Sequence, residues 1–572
     1  MAGMGGLVVG PLLRYVDIDS ATIWVETELA AEVTVRAGDR AATARTFAAH
    51  GHHYALVEVT GLGEGTRTPY RLDVDGEQVW PEPGSAYPEP VIATLDRERP
   101  LRMGFGSCRV SVPHDEEGNQ AFGVDALRAY ALDLAHGGEE GWPDLVLFLG
   151  DQVYADETSV AMREFIASRR SLDEPPGEEL RDFEEYAHLY KLAWSDPANR
   201  WLLSTVPSAM IFDDHDIRDD WNTSWTWRKE MADTSWWRLR IVSGLASYWI
   251  YQHLGNLSAA ERAADPLWQR IAAHEGDDEL DLTEPLDALA ERADREPDCY
   301  RWSHARDFGS EVRLVVVDSR AARVLEPENR SILDPSEMAW LDDQLQGGFD
   351  HVVVGTSLPF LLAPGLHHVE AFNEGICSGA WGKAAARVGE HVRQALDLEH
   401  WAAFQQGFRE VAEMTLEVAS GARGSAPQSV VFLSGDVHHS YVSSAWPDPD
   451  VTDSVIEARI LQATCSPIRN PLPGFMERLT TWATRRRVGR GVRRVARSAK
   501  VPLSPLGWQV DRGPWYDNNL AVLEVRPAGG LVMRWVGGDV TGRAPDDPVL
   551  REVAVVEVPP PVSRPAPGAL PA

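Results

Sequence analysis

Four short apolar runs in this 572-residue chain each stop at a cluster of ligand-type side chains: residues 102–109 (RMGFGSCR), 147–156 (LFLGDQVYAD), 208–222 (SAMIFDDHDIRDDWN) and 429–441 (SVVFLSGDVHHSY). Continuous runs of this length read as buried parallel strands rather than helices. The loops that follow such strands are where open α/β sheets place their ligands. Burying unpaired charge is costly, so four strands ending this way point to a shared metal cluster.

The second run is the most informative. Asp151 falls at the mouth of the sheet and Tyr154 can turn back toward it. A carboxylate and a phenol are hard oxygen ligands, better suited to Fe(III), Mn or Ca than to a soft-ligand zinc site. Read alone, the motif is met equally by an Asp151 that caps the next helix and a Tyr154 that packs as a half-buried aromatic. The other three runs tip the reading toward metal.

The order GSCR, GDQVY, FDDHD, GDVHH resembles the alkaline phosphatase D (PhoD-like) branch of the metallophosphoesterases, over most of residues 6 to about 540. Purple acid phosphatases are the nearest rival. They would carry Gly-Asn-His where this chain has Asp213-Asp214-His215, and Gly-His-x-His where it has Gly435-Asp436-Val437-His438. The resemblance implies an α/β fold: an N-terminal fibronectin-like β-sandwich plus a four-layer αββα metallophosphoesterase domain. It also implies metal-dependent hydrolysis of phosphoric esters, mono- or diesters, by a metal-bound hydroxide. Carried over residue by residue, the metal ligands are Cys108, Asp151, Tyr154, Asp214, Asp436 and His438, with His215 as acid and Arg109 as phosphate clamp. The implied ions are Fe(III) and Ca²⁺, with Mn or Zn as alternatives. Two departures stand out: Thr356 lies where many relatives place a His, and Asp219-Asp220 replace paired asparagines. A non-catalytic metal-binding or scaffold protein on the same fold is the opposing reading.

Around this centre, residues 1–95 alternate with period two and have Gly-rich turns, as a β-sandwich does. The Pro-rich stretch 81–90 reads as an interdomain linker. Residues 96–545 form the metallophosphatase domain, with a Trp-rich insertion at 223–305, a long helix from about 387 to 419, and Arg320 placed either to clamp phosphate or to pair with the acidic motifs. Residues 546–572 read as a Pro-rich, disordered tail.

The net charge of -33 argues against nucleic acid as a stable partner and against non-specific binding to anionic lipid, since both would repel the chain. The expected partner is a small-molecule phosphoester. Four scattered cysteines are too few for a disulfide framework. The first residues lack a basic leader and no run reaches transmembrane length, so a cytoplasmic location is expected, or export if a leader was removed. Residues 485–500 are the one basic island; membrane or nucleic-acid binding is weighed there against a helix whose arginines meet the chain's own acids.

Overall fold

The computed structural model describes residues 6–96, 99–526 and 529–560. At the N-terminus two antiparallel sheets pack face to face. One contains strands Leu7–Val16, Ser20–Thr27, His52–Thr60 and Phe47–Ala49; the other contains Arg40–Arg45, Glu32–Ala37, Arg67–Val74 and Glu77–Trp80. Alternate inward residues such as Leu13, Ile23, Val35, Val57 and Leu72 fill the space between them, as the period-two pattern requires. Val91–Ala93 then pairs back onto Arg67–Val74. The Pro-rich stretch 81–90 is therefore a loop within the sandwich and not a linker between domains.

Two further sheets stack against each other in the rest of the chain. The first runs Ser208–Ile211, Leu145–Leu149, Arg102–Gly106, Leu520–Val525, Leu531–Asp539, Val549–Val558, with the first three strands parallel. The second runs His304–Phe308, Val312–Val317, His351–Thr356, Ser429–Ser434, Arg459–Thr464, Ser440–Pro447, Leu506–Trp515. Gly355 lets the sheets approach closely: a Cβ there would come within 3.1 Å of the Leu149 side chain. Trp535 also donates across the interface to the Thr464 carbonyl at 3.1 Å. Helix Ala126–His136 covers one outer face, and helices Pro335–Gln344 and Gln405–Ala419 cover the other. The result is the four-layer αββα arrangement. Because Val549–Val558 completes the first sheet, the span from 546 to 558 is not tail; residues 561–572 of the expected tail lie outside the described residues.

The insertion contributes tryptophans to the core. Trp227 and Trp237 meet edge to face at 5.3 Å and Trp249 is fully buried, so these rings belong to the main core. Helix Trp237–Tyr248 continues into a π-helical turn, Trp249–His253. Arg14 of the sandwich reaches this turn and donates to the carbonyls of Tyr251 (2.8 Å) and Gln252 (2.6 Å) and to Asn256 Oδ1 (3.1 Å). A fully buried guanidinium is tolerable only when its donors are used in this way.

Candidate metal centre

All four ligand-type clusters converge where the two sheets meet, at the carboxyl ends of Arg102–Gly106, Leu145–Leu149, Ser208–Ile211 and Ser429–Ser434. The chain leaves these strands under strain. Of ten non-glycine residues with positive φ among the described residues, seven belong to this region: Cys108, Asp151, Asp220, Asn222, Asp397, Asp436 and His438. Such conformations persist only where the surroundings enforce them, and they gather at functional sites. Close approach has its own requirement: at Gly435 a Cβ would lie 2.0 Å from Ser107 Oγ, the hydroxyl that accepts the Asp436 N–H at 2.9 Å.

Asp216 sets the spacing of two strand ends. Its Oδ2 accepts the backbone N–H groups of Asp151 (3.0 Å) and Asp213 (2.9 Å), and its Oδ1 accepts from Gln252 at 3.0 Å. Asp151, Asp213, Asp214 and Asp436 each then present a carboxylate oxygen within 4.8 Å of the others; Asp214, His215 and Asp219 form an adjoining group. Arg320 is the cation among them. It is fully buried, pairs with Asp213 and Glu399, and reaches Asp214 at 3.0 Å and Asp436 at 4.0 Å. That settles its two sequence readings in favour of pairing.

One guanidinium does not neutralise this group. Burial pushes the carboxyls of Asp151 and Asp213 well above the ordinary carboxylate range, and neighbouring Cys108 raises Asp151 further. Asp151 Oδ1 and Asp213 Oδ2 are buried without a hydrogen-bond partner. Orphaned, desolvated, oxygen-rich carboxylates fit a hard cation, so the donor set matches the metal dependence of the family described below. Asp436 behaves differently: burial raises it, but His400 Nε2 at 3.0 Å more than offsets this and its pKa falls below the usual value. The other nitrogen of His400 lies 2.8 Å from Glu370.

The remaining expected residues divide into two sets. Cys108 donates to Asp151 Oδ2 at 3.3 Å, and burial lifts its thiol to about 12. Tyr154 packs against Cys108 and accepts from Asn470 at 3.2 Å. Burial holds His438 neutral, down to about 4, which is the form that ligates. These three flank the carboxylates. His215 lies at the rim with its ring 4.7 Å from that of Tyr154 and its Nδ1 2.9 Å from Asp156. Burial opposes its charge, yet Asp156 and Asp214 hold its pKa well above the ordinary value.

Arg109 corrects the expectation of a phosphate clamp. It is buried and turned away, donating to Asp125 Oδ2 (2.8 and 3.0 Å) and the Ala193 carbonyl (2.9 Å). Asp125 is desolvated beneath it and has no other charged donor as close, so the guanidinium is committed there.

Five contributors were not singled out from sequence. Asp213 had a visible signal, the run of carboxylates at 213–216. Asp156, Asp397, Glu399 and His400 sit on irregular segments. The last three interrupt the helix expected over 387–419, which in the structure is two helices, Lys383–Ala395 and Gln405–Ala419.

Residues 127–473 match the family described as PhoD-like phosphatase, and residues 4–92 match a domain of unknown function, DUF7800. No curated protein matches. Among solved structures, the structure of PhoD is similar with a TM-score of 0.57 at 14% identity, over 100% of this chain and 94% of that one. At that identity the likeness speaks for the fold alone. A type III pullulan hydrolase from Thermococcus kodakarensis, at 12% identity over 97% of this chain and 98% of that one, has a TM-score of only 0.15 and carries no argument. The family match spans more than half of the chain, across the strands and loops that build the carboxylate cluster, and the chain belongs to the PhoD-like phosphatase family.

Proposed function

We propose that this phosphatase hydrolyses phosphoric diesters as well as monoesters, with Asp151, Asp213, Asp214 and Asp436 holding the metal and Cys108, Tyr154 and His438 flanking it. The observation that carries the reading is the set of buried carboxylates with orphaned oxygens beside a proton-bearing imidazole. A thiol and a phenol touching one edge of the cluster favour Fe(III) there, and the carboxylate-rich rim at Asp219 and Asp220 favours Ca²⁺. Bound ions would supply Lewis acidity toward the phosphoryl oxygens and an activated water.

The chain's own groups do the rest. Asp156 fixes His215 through Nδ1, leaving Nε2 to donate to the ester oxygen as it departs. Burial raises Asp219 to about 7 and Asp220 to about 9, with neighbouring carboxylates adding to the shift. Above those values the rim carboxylates are ionised and repel a dianion more than a monoanion, which supports diesters at alkaline pH.

The test uses one metal-loaded sample. Elemental analysis and the visible spectrum are expected to show iron and a charge-transfer band that Tyr154→Phe shifts. Turnover of bis-p-nitrophenyl phosphate is then compared with that of p-nitrophenyl phosphate. A monoester preference beyond about a thousandfold in kcat/KM, roughly 4 kcal/mol, overturns the diester reading. Protein without metal and without turnover returns the scaffold reading.

A further inference from the structure

The basic island at 485–500 takes no part in the site. It folds as helix Arg486–Ser498, which packs on helix Pro364–Cys377 and buries Gly489 and Ala496. At 100° per residue, the exposed arginines Arg486, Arg487, Arg490, Arg494 and Arg497 fall on a single arc of about 100°, centred about 120° around the helix from the buried face. The expectation that these arginines meet the chain's own acids is corrected by the ion pairs. Arg493, half-buried, reaches Asp448 at 2.6 Å; the other five have no ion pair among the described residues. In a chain of net charge -33, an unneutralised basic stripe is out of keeping with the rest of the surface.

The preceding helix, Gly474–Ala483, supplies the second observation. Phe475, Leu479 and Trp482 are 72%, 47% and 48% exposed and recur at spacings of four and three, so they form one apolar stripe facing solvent. Helix Lys383–Ala395 adds exposed Val388 and Val392, with Leu396 beyond it, and Trp381 ties this edge to the basic helix by donating to the Ser498 carbonyl at 3.1 Å. Nine of the fifteen exposed large hydrophobics lie on or beside these four helices. That concentration marks a docking surface and not scattered exposure.

We infer that this face docks on an anionic lipid bilayer, with Phe475, Leu479 and Trp482 entering the headgroup–acyl boundary and the arginine stripe meeting lipid phosphates. Helices that lie in a membrane interface combine these two features. Nucleic acid would satisfy the arginines but give the apolar stripe no way out of water. A second copy docked through the same face would bring one arginine stripe against another. No helix of the described residues is long and apolar enough to cross a membrane, so the association is peripheral. Asn470, four residues before the apolar helix, donates to Tyr154 at 3.2 Å, so the chain passes directly from the candidate centre to the docked face.

The experiment is co-sedimentation of the full chain with vesicles of phosphatidylcholine alone and of phosphatidylcholine doped with phosphatidylglycerol, at low and high salt. Binding to the anionic vesicles only, weakened by salt, is expected. Each lost arginine weakens binding about fivefold, so Arg490→Gln/Arg494→Gln should lower the partition coefficient about 25-fold. Phe475→Ser/Trp482→Ser, at exposed positions, should abolish the salt-resistant part. Equal binding to neutral vesicles, or wild-type retention by both variants, overturns the inference. So does a dimer in light scattering that Trp482→Ser dissociates, or binding to duplex DNA without binding to vesicles. Because binding is read without turnover, failure here leaves the hydrolase reading standing, and an inactive protein that binds vesicles does the reverse.

Discussion

Asp125 and Asp151 are equally buried carboxylates in the same half of the molecule, yet their chemistry is opposite. Asp125 caps helix Ala126–His136 and receives two donors from Arg109, so although burial raises its pKa, the guanidinium brings it down to about 2. Asp151 has a thiol at one oxygen and nothing at the other, and is pushed well above the ordinary range. Burial is common to both; the partner differs. A chain able to pair Asp125, Glu399 and Asp156 so fully has left one oxygen each of Asp151 and Asp213 without a hydrogen-bond partner, and the proposed function puts the cation there.

The largest test of this contrast is Asp151→Asn. In the metal-loaded enzyme, turnover should fall more than about 10³-fold, or about 4 kcal/mol, with metal lost from the protein. After chelation the same variant should unfold at a higher temperature than wild type, because the cost of burying a carboxyl whose pKa is pushed up has been removed. A lower unfolding temperature in chelator would break the comparison. Asp125→Asn should do the reverse, leaving metal content intact while costing about 3 kcal/mol of stability in urea. Since the folded pKa of Asp125 is depressed, that contribution is present above about 3.8 and fades as pH falls toward about 2.

His215→Ala sharpens the contrast within the site. A proton donor held by Asp156 but outside the carboxylate group should lower kcat about 10²-fold, about 2.7 kcal/mol, with metal retained on elemental analysis. Metal loss equal to that of Asp151→Asn would make His215 a ligand. The smallest effect is expected at His52, which joins Glu26 of the sandwich to Glu184 of helix Phe183–Trp194 at 2.8 and 2.9 Å. Burial lowers its pKa, but the two carboxylates more than compensate and the net shift is upward. The stabilisation is therefore complete below about 6.5 and lost as pH rises through the folded pKa. His52→Gln should cost about 1 kcal/mol at pH 6 and progressively less at higher pH, as read from urea midpoints.

The sequence made the sheet legible because three of the four strands are apolar runs ending at a carboxylate and the fourth ends at Cys108, a pattern that survives without tertiary information. It was less explicit about partners. Arg109 follows a ligand-type Cys and looks available for phosphate; only the fold shows Asp125 beneath it. Glu399 and His400 were hidden inside what reads as continuous helical periodicity. The break at Asp397, with its positive φ, is enforced by contacts to Arg320, Arg323 and Asp436, and no local pattern announces it. The Pro-rich stretch 81–90 misled for a related reason: proline marks a turn in either setting, and the returning strand Val91–Ala93 decides which.

Asp216 acts as a caliper, fixing the gap between Asp151 and Asp213 by gripping both backbones. Its own grip depends on Gln252 in the π-helical turn, and that turn is held from outside by Arg14. Among the described residues the N-terminal sandwich contributes no side chain to the carboxylate cluster, but it stands in mechanical series with the cluster's width. Cutting it away would leave every carboxylate of the cluster in place and the gauge between two of them unset.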